Sequence, residues 1–232
     1  MFKTRLVLIV CAVVACIAPA KAQFFYNGRG TGLDANILSL VDVKVADTGL
    51  LPINGGTLNV SVATGSLTSG GTTVADTGVI TTGTTGGGGT TTSFAEVNNL
   101  RLLTNDLFPA FDFVRATTVR SDASAVLGSA SGSSLISNLT VLGIPVTVTG
   151  APNQVYGVPG VLNLTINRQT VTNGVLRVDA LYLDVLSGAN VGTVAVSSSY
   201  AGVAPAPEPS SLALAGLVIP GALAVLRRRR HL

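Results

Sequence analysis

The chain has 232 residues, of which 47% are hydrophobic and 11% are charged, and it contains a single histidine and no tryptophan. Seven of its fourteen lysines and arginines lie in the first 21 or the last six residues, so the span 23–206 carries seven basic and ten acidic side chains. This mildly acidic span has no basic patch, which excludes nucleic-acid binding of the usual electrostatic kind.

The first 22 residues have the three parts of a secretory signal peptide. Lys3 and Arg5 are basic, residues 6–18 are apolar but too few to span a membrane, and Ala20 and Ala22 are the small residues that signal peptidase requires. We therefore predict an N-terminal signal helix over residues 1–22 and a mature chain that begins at Gln23.

A second processing route is a loose lipobox that ends at Cys16, which would make this residue a lipidated N-terminus. Cys11 and Cys16 are the two cysteines of the chain, and both lie in the signal. From residue 23 onward the chain therefore has no thiol and no disulfide, although export to an oxidising compartment would permit one.

Short runs that alternate apolar and polar residues follow, as in half-buried antiparallel strands. They are "LVDVKVAD" at 40–47, "TLNVSVAT" at 57–64, "VTVTG" at 146–150, "VLNLTIN" at 161–167 and "VLRVDALYLDVL" at 175–186. Asn173-Gly174 is a two-residue hairpin signal that should pair 170–172 with 175–178. We predict an all-β fold, an antiparallel β-sandwich or barrel-like domain over residues 23–202, without a helix longer than three turns between 36 and 190.

Similar segments recur along the chain. "VADTG" is found at 45–49 and at 74–78, and "GTLNVSV" at 56–62 is similar to "GVLNLTI" at 160–166. Recurring rungs would make a β-solenoid, which we keep as the alternative fold. The spacings share no common period, which favours the sandwich or barrel-like domain.

The stretch 65–93 has low complexity and includes "TTGTTGGGGTTTS" at 81–93. It has few apolar side chains to offset the entropy that is lost when the backbone becomes ordered. We predict a mobile loop or a hairpin extension that is softest at 86–89, with a threonine-rich edge strand as the alternative.

Few residues of the chain suit catalysis. His231 lies in the last two residues, so a Ser-His-Asp or Cys-His centre and a His/Cys zinc site are excluded in their usual forms. The glycine-rich segment lacks the lysine and the strand-to-helix context of a phosphate loop. We predict no enzymatic activity, no catalytic residue, no cofactor and no metal.

Carboxylates remain as candidates, and we predict that they occupy the solvated surface or turns. A glycosidase pair would draw on Glu96, Asp106, Asp112 and Asp122. Calcium would draw on Asp34, Asp42, Asp47 and Asp76, although the spacing of an EF-hand or a calcium-binding repeat is missing. Lys44 would be the lysine of an isopeptide crosslink, but its place beside Asp42 favours a surface charge.

Much of residues 30–202 resembles the choice-of-anchor P family of extracellular bacterial domains. The resemblance rests on the segments that begin "SFAEVNNLRLL" at 93, "GSSLISNLTVLGIPVTVTGAPNQVY" at 132 and "VDALYLDVLSGANVGTVAVSSSY" at 178. The glycine-rich insert and "PAFDF" at 109–113 depart from the family pattern. The resemblance implies a surface-displayed β domain and no established chemistry.

Residues 203–232 form the C-terminal tail, in which Pro207, Glu208 and Pro209 precede an apolar stretch at 210–226. As a helix this stretch would be about 25 Å long, slightly shorter than a hydrocarbon core. The basic cluster that follows, which would hold the chain end in the cytoplasm, consists of Arg227, Arg228, Arg229 and Arg230. The three parts resemble the PEP-CTERM sorting signal of Gram-negative bacteria that produce exopolysaccharide. The resemblance implies recognition by an exosortase and removal of the helix, and an anchor that is never cut is the alternative.

These observations predict an exported, non-enzymatic protein of the cell surface or extracellular matrix. Its partners would be signal peptidase, an exosortase, the inner membrane before processing, and exopolysaccharide. The alternative is a carbohydrate-binding or carbohydrate-active module, which needs aromatic stacking platforms. The aromatic candidates are Tyr156, Tyr182, Tyr200, Phe108, Phe111 and Phe113.

Overall fold

The computed structural model describes residues 23–37, 41–69, 72–104, 112–186 and 192–206, and the regular elements within these ranges are all strands. They are β1 (Phe24–Ile37), β2 (Val41–Asp47), β3 (Gly56–Val62), β4 (Gly65–Ser69), β5 (Thr72–Thr77), β6 (Ile80–Gly87), β7 (Thr90–Thr104), β8 (Asp112–Val126), β9 (Ser129–Ser137), β10 (Thr140–Val141), β11 (Ile144–Pro145), β12 (Gln154–Val158), β13 (Leu162–Thr172), β14 (Val175–Val185) and β15 (Gly192–Pro205). The all-β prediction is confirmed.

The strands form two open sheets. The six-stranded sheet has the order β12-β13-β14-β15-β1-β2, and the nine-stranded sheet follows the path β11-β10-β8-β7-β5-β4, with β6 between β3 and β7 and with β9 beside β8. Hairpin neighbours pair antiparallel, as β13 and β14 do. Strand β14 packs on β8 and β9 of the other sheet, which gives a sandwich-like arrangement. Because the sheets are open and antiparallel, neither the barrel-like form nor the β-solenoid describes them.

The nine-stranded sheet is a meander of long strands. Their regular strand structure is interrupted along one line that runs across the strands. On β7 the register is the same on both sides of the line: Ile80 of β6 pairs with Val97, and Asp76 of β5 pairs with Arg101. The backbone stays hydrogen-bonded at the line, since the Gly78 N–H donates to the Asn98 carbonyl at 2.7 Å. We call this line the bend.

At the bend each long strand changes which of its alternate residues faces the core. In β7 the buried residues are Thr91, Ser93, Ala95 and Val97 before the bend, and Leu100 and Leu102 after it. In β14 the apolar residues Leu176 and Val178 are followed by Leu181, Leu183 and Val185. Because a strand alternates with a period of two, this slip of one residue requires a local change in backbone conformation.

In β7, β13 and β15 a residue with positive φ provides that change. Asn99 of β7 has φ of 52°, and Asn138, just after β9, has φ of 55°. In the six-stranded sheet Asn167 of β13 and Ser197 of β15 have φ of 51° and 58° and lie on either side of Ala180 in β14. Asparagine adopts the left-handed region more readily than most residues, which explains its frequency at the bend.

The bend divides the core into two parts of different composition. On one side aliphatic side chains from both sheets form the larger apolar cluster. Its largest fully buried members include Leu100, Leu102, Leu162, Leu164, Ile166, Leu181 and Leu183. Full burial of each leucine side chain contributes about 1.5–3 kcal/mol, so this cluster supplies most of the hydrophobic stabilisation.

On the other side of the bend the sheets approach closely through small and hydroxyl-bearing residues. A Cβ atom on Gly28 of β1 would lie 2.2 Å from Thr84 Oγ1, and one on Gly30 would lie 2.6 Å from the Phe94 carbonyl oxygen. Hydroxyls bond across the gap: Thr91 Oγ1 donates to the Gly202 carbonyl at 2.9 Å, and Ser197 Oγ donates to the Ala95 carbonyl at 2.6 Å. The glycine, serine and threonine residues of the sequence therefore let the two sheets pack closely here.

The structure separates the alternatives that were predicted for residues 65–93. Apart from residues 70–71, which lie outside the described ranges, the segment forms β4, β5, β6 and the start of β7, so it is not a mobile loop. Strands β6 and β7 instead form a hairpin that is closed by a tight turn at Gly88-Gly89. The threonine-rich strand β6 pairs with both β3 and β7 and is therefore not an edge strand. Its inward threonines are ordered because their hydroxyls find partners, as Thr82 Oγ1 does at the Ala46 carbonyl, 2.9 Å away.

Two local predictions have opposite outcomes. The hairpin at Asn173-Gly174 is confirmed, because Thr172 pairs with Val175 and both turn residues have positive φ, 52° and 76°, as a type I′ turn requires. The strand predicted at 146–150 is wrong, since these residues have no regular structure. Their alternation instead lets Val146 and Val148 pack against the larger apolar cluster from a loop.

The segments predicted as a signal helix and a C-terminal apolar helix, residues 1–22 and 210–226, lie outside the described residues. Among the residues that the structure describes, no helix long and apolar enough to cross a membrane is found.

Candidate functional site

Two of the four carboxylates considered for a glycosidase pair lie side by side on the outer face of the nine-stranded sheet. Glu96 of β7 and Asp122 of β8 both bind Arg120, at 3.2 Å from Nη1 and 2.7 Å from Nη2. Asp112 instead binds Arg101, with 2.9 Å between Asp112 Oδ2 and Arg101 Nε. Asp106 lies outside the described residues. The shared guanidinium makes Glu96 and Asp122 parts of one charge cluster.

The four aspartates considered for calcium are spread over the fold. Asp34 pairs across strands with Lys44, and Asp42 pairs with Asn36. Asp76 lies opposite Arg101. Within the described ranges no group of three or more histidine, cysteine, aspartate or glutamate side chains is placed to hold a metal ion. Lys44 is exposed.

Asp47 has the densest set of donors among these aspartates. Its Oδ1 atom accepts hydrogen bonds from Arg29 Nε at 2.7 Å, from the Gly49 N–H at 3.0 Å and from Thr31 Oγ1 at 3.2 Å. Burial alone would raise the pKa of Asp47, but these hydrogen bonds and the charge of Arg29 hold it below its usual value. The arrangement fixes the end of β2 against β1.

The predicted aromatic platforms serve other contacts. On the six-stranded sheet the Arg168 guanidinium carbon lies 3.6 Å from the centre of the Tyr182 ring, and that of Arg177 lies 5.2 Å from the Tyr200 ring. Tyr156 and Phe113 pack against the larger apolar cluster. Phe108 and Phe111 lie outside the described residues.

Both of these arginines also contact Asp179, whose side chain is fully buried. Arg177 Nε donates to Asp179 Oδ1 at 2.7 Å, and Arg168 Nε lies 3.8 Å from Oδ2. Ser198 Oγ donates to Oδ1 as well. The aromatic rings and guanidinium groups thus form a layer over a buried carboxylate, which is a structural role.

A cavity of about 600 Å³ lies on the outer face of the nine-stranded sheet, and we call it the outer groove. The strand registers arrange the residues of this face in transverse rows. The groove is lined by the whole central row, by Thr85, Thr92, Ser124 and Ser131 of the row on one side, and by Arg120 of the row on the other side. The central row, in the order β3, β6, β7, β8 and β9, is Asn59, Gly83, Phe94, Asp122 and Ser133. The row on one side is Thr57, Thr85, Thr92, Ser124 and Ser131. The row on the other side is Ser61, Thr81, Glu96, Arg120 and Leu135.

Phe94 is the aromatic residue of the outer groove. A Cβ atom on Gly83 would lie 2.6 Å from Phe94 Cε1 and 2.5 Å from Asn59 Oδ1, so the ring and the amide both rest over this glycine. The Arg120 guanidinium carbon lies 4.9 Å from the ring centre. Hydrogen bonding to Asp122 raises the pKa of Arg120 above its usual value.

No protein-family model, curated protein or solved structure matches this chain. The outer groove combines a phenyl ring, an amide, hydroxyl groups and an ion cluster of one guanidinium with two carboxylates, which suits recognition of an uncharged polar chain.

Sequence reasoning missed Phe94 and Arg120. The available signal was alternation: in "TTTSFAEV" the residues Thr92, Phe94 and Glu96 share the outward phase. What alternation could not reveal is which strands lie next to β7.

The sorting residues predicted from sequence lie outside the described residues. They comprise the cleavage residues Ala20 and Ala22, the motif Pro207, Glu208 and Pro209, and the four arginines Arg227 to Arg230.

Proposed function

We propose that the chain is an exported, non-enzymatic protein of the cell surface or extracellular matrix, which is directed there by its two end segments. The observation that carries the proposal is the order of parts in the tail: Pro207-Glu208-Pro209, then the apolar residues 210–226, then four arginines. The resemblance of this tail to the PEP-CTERM signal makes an exosortase the partner that would process it.

The body of the chain supports this function by its composition. Without cysteine after Cys16, its stability comes from packing and from hydrogen bonds, as in the hydroxyl contacts between the sheets. Removal of both end segments would also turn a basic precursor into an acidic protein, since half of the basic residues lie in these segments.

The absence of enzymatic activity is part of the proposal. The histidine that acid–base catalysis most often uses is found only at position 231, within the segment that processing would remove. Glu96 and Asp122 bind one guanidinium, which fits an ion cluster better than a separated acid and base.

The test is to replace Glu208 by alanine and to measure the mass of the protein recovered from cells and from medium. Processing by an exosortase predicts that the original protein loses its C-terminal segment, whereas the variant stays longer, keeps its arginines and remains in the membrane. Asp42→Ala is the matched control, because it removes an exposed carboxylate from β2 and should leave processing unchanged.

Equal mass and equal release of the original protein and the Glu208→Ala variant would show that the motif is inert and that the tail is a permanent anchor. The same mass measurement locates the N-terminus. A chain that begins at Gln23 supports cleavage by signal peptidase, whereas an acylated Cys16 would place the protein among lipoproteins.

A further inference from the structure

We propose that the outer groove binds a neutral polysaccharide, with Phe94 as its apolar anchor. The inference deepens the proposed function, because it names the polymer class that an exported matrix protein would hold. It depends on the described residues alone and on neither end segment.

The shape of the site follows from the strand registers. Five strands contribute to the central row, and at about 4.8 Å between neighbouring strands the row is about 19 Å wide. Asn59 and Phe94 lie over Gly83, so the middle of the row has an amide beside a ring. Such a width accommodates several sugar rings of one chain.

The chemistry of the lining matches a polyhydroxyl ligand. The lining residues beside the central row, Thr85, Thr92, Ser124 and Ser131, all carry hydroxyl groups, which both donate and accept hydrogen bonds. Phe94 lines the groove and offers apolar surface to the C–H groups of a sugar ring.

The charges indicate which polysaccharides would bind. Arg120 is the cation of the three rows, and its Nε, Nη1 and Nη2 atoms all bind carboxylates of the protein. Asp122 keeps 44% of its side chain exposed, and two carboxylates face one guanidinium, so a negative charge remains unbalanced. An acidic polymer would be repelled, whereas a neutral polymer would not.

Strand β1 of the other sheet supports the groove from the inner face of the nine-stranded sheet. The backbone of β6 and β7 under Phe94 is in contact with Gly30 of β1, whose missing Cβ would lie 2.6 Å from the Phe94 carbonyl oxygen and 3.2 Å from the Gly83 nitrogen. A preformed site loses little conformational entropy on binding.

The experiment measures how neutral and acidic polymers retard the protein on native affinity gels. The protein is purified as the producing cell leaves it, in detergent. The neutral probes are hydroxyethyl cellulose, dextran and galactomannan, and the acidic probe is alginate. We expect retardation by at least one neutral polymer and a dissociation constant for alginate that is at least about tenfold weaker.

Two variants test the location of the site. Phe94→Leu keeps an apolar side chain over Gly83 but removes the ring, and Thr92→Lys places a long charged side chain in the groove from an exposed position. Each should weaken binding by about tenfold or more, as expected for a central anchor. Val171→Ala, which changes a 67% exposed residue of the other sheet, should leave binding unchanged.

Thermal unfolding of each variant verifies that it is folded. Three results would overturn the proposal: no retardation by any neutral polymer, stronger binding of alginate, or unchanged binding by both Phe94→Leu and Thr92→Lys. Because binding is measured on purified protein, none of these results bears on whether the tail is processed.

Discussion

Gly30→Ala tests whether the close approach of the two sheets stabilises the fold. A Cβ atom at this position would lie 2.6 Å from the Phe94 carbonyl oxygen, 3.1 Å from Thr82 Cβ and 3.2 Å from the Gly83 nitrogen. Two of these neighbours are backbone atoms, which cannot rotate away as a side chain can. The methyl group would fit only if β1 moved away from the paired strands β6 and β7.

The magnitude follows from two opposing effects. Overpacking of this kind costs about 1–3 kcal/mol. Replacement of glycine lowers the conformational entropy of the unfolded chain, which stabilises the folded protein by about 0.4–1 kcal/mol. From the middle of each range we expect the free energy of unfolding to fall by about 1.3 kcal/mol. Tm should then fall by about 3–5 °C, since a domain of this size loses about 2–4 °C per kcal/mol.

The assay is thermal unfolding together with urea unfolding of the variant and a matched control. Gly87→Ala is the control, because it adds the same methyl group at an exposed strand end where no heavy atom lies within 4 Å. It should be neutral or should stabilise by up to about 1 kcal/mol. If Gly30→Ala and Gly87→Ala unfold at the same temperature, the sheets are not tightly packed at β1 and the reasoning fails.

Two electrostatic predictions follow from the ion pairs. Because the folded pKa of Asp47 is lowered, its stabilisation is present above the unfolded pKa of about 3.9 and is lost as pH falls through the folded value. Asp47→Asn should therefore be less stable than the original protein at pH 7 but should lose less stability when the pH is lowered. Urea unfolding midpoints at pH 7 and pH 3 measure this, and an equal loss of stability in both proteins would contradict it. Asp179→Ala leaves Arg177 and Arg168 without their buried partner and should lower the free energy of unfolding by about 3–5 kcal/mol. Asp184→Ala on the same strand should change it by less than about 0.5 kcal/mol in the same urea titration, and equal effects would refute the buried-pair argument.

Local patterns predicted the elements whose signals are contained in a few adjacent residues. Alternation correctly located β2, β3, β13 and β14, and Asn173-Gly174 correctly located a hairpin. In each case the neighbouring strand is the next one along the chain, so the local sequence contains both partners. The same pattern at 146–150 failed, because Val146 and Val148 face the core from a loop and no neighbouring strand pairs with them.

Two features depended on contacts that are distant in sequence. The threonines of β6 are ordered by partners such as the Ala46 carbonyl, which lies 36 residues away and in the other sheet. The outer groove exists because register places Asn59, Phe94 and Asp122 in one row. The slip at the bend left a visible trace in β14, where apolar residues at 176 and 178 are followed by apolar residues at 181, 183 and 185.

The three glycines of β1, at 28, 30 and 32, restrict which substitutions this part of the core can accept as the sequence diverges. Each faces an atom of the opposite sheet that a methyl group would meet at 2.6 Å or less, so any larger residue must be matched by a simultaneous loss elsewhere. Selection on this part of the core therefore preserves small volume rather than a particular apolar side chain, and distant descendants would share a composition more than a motif.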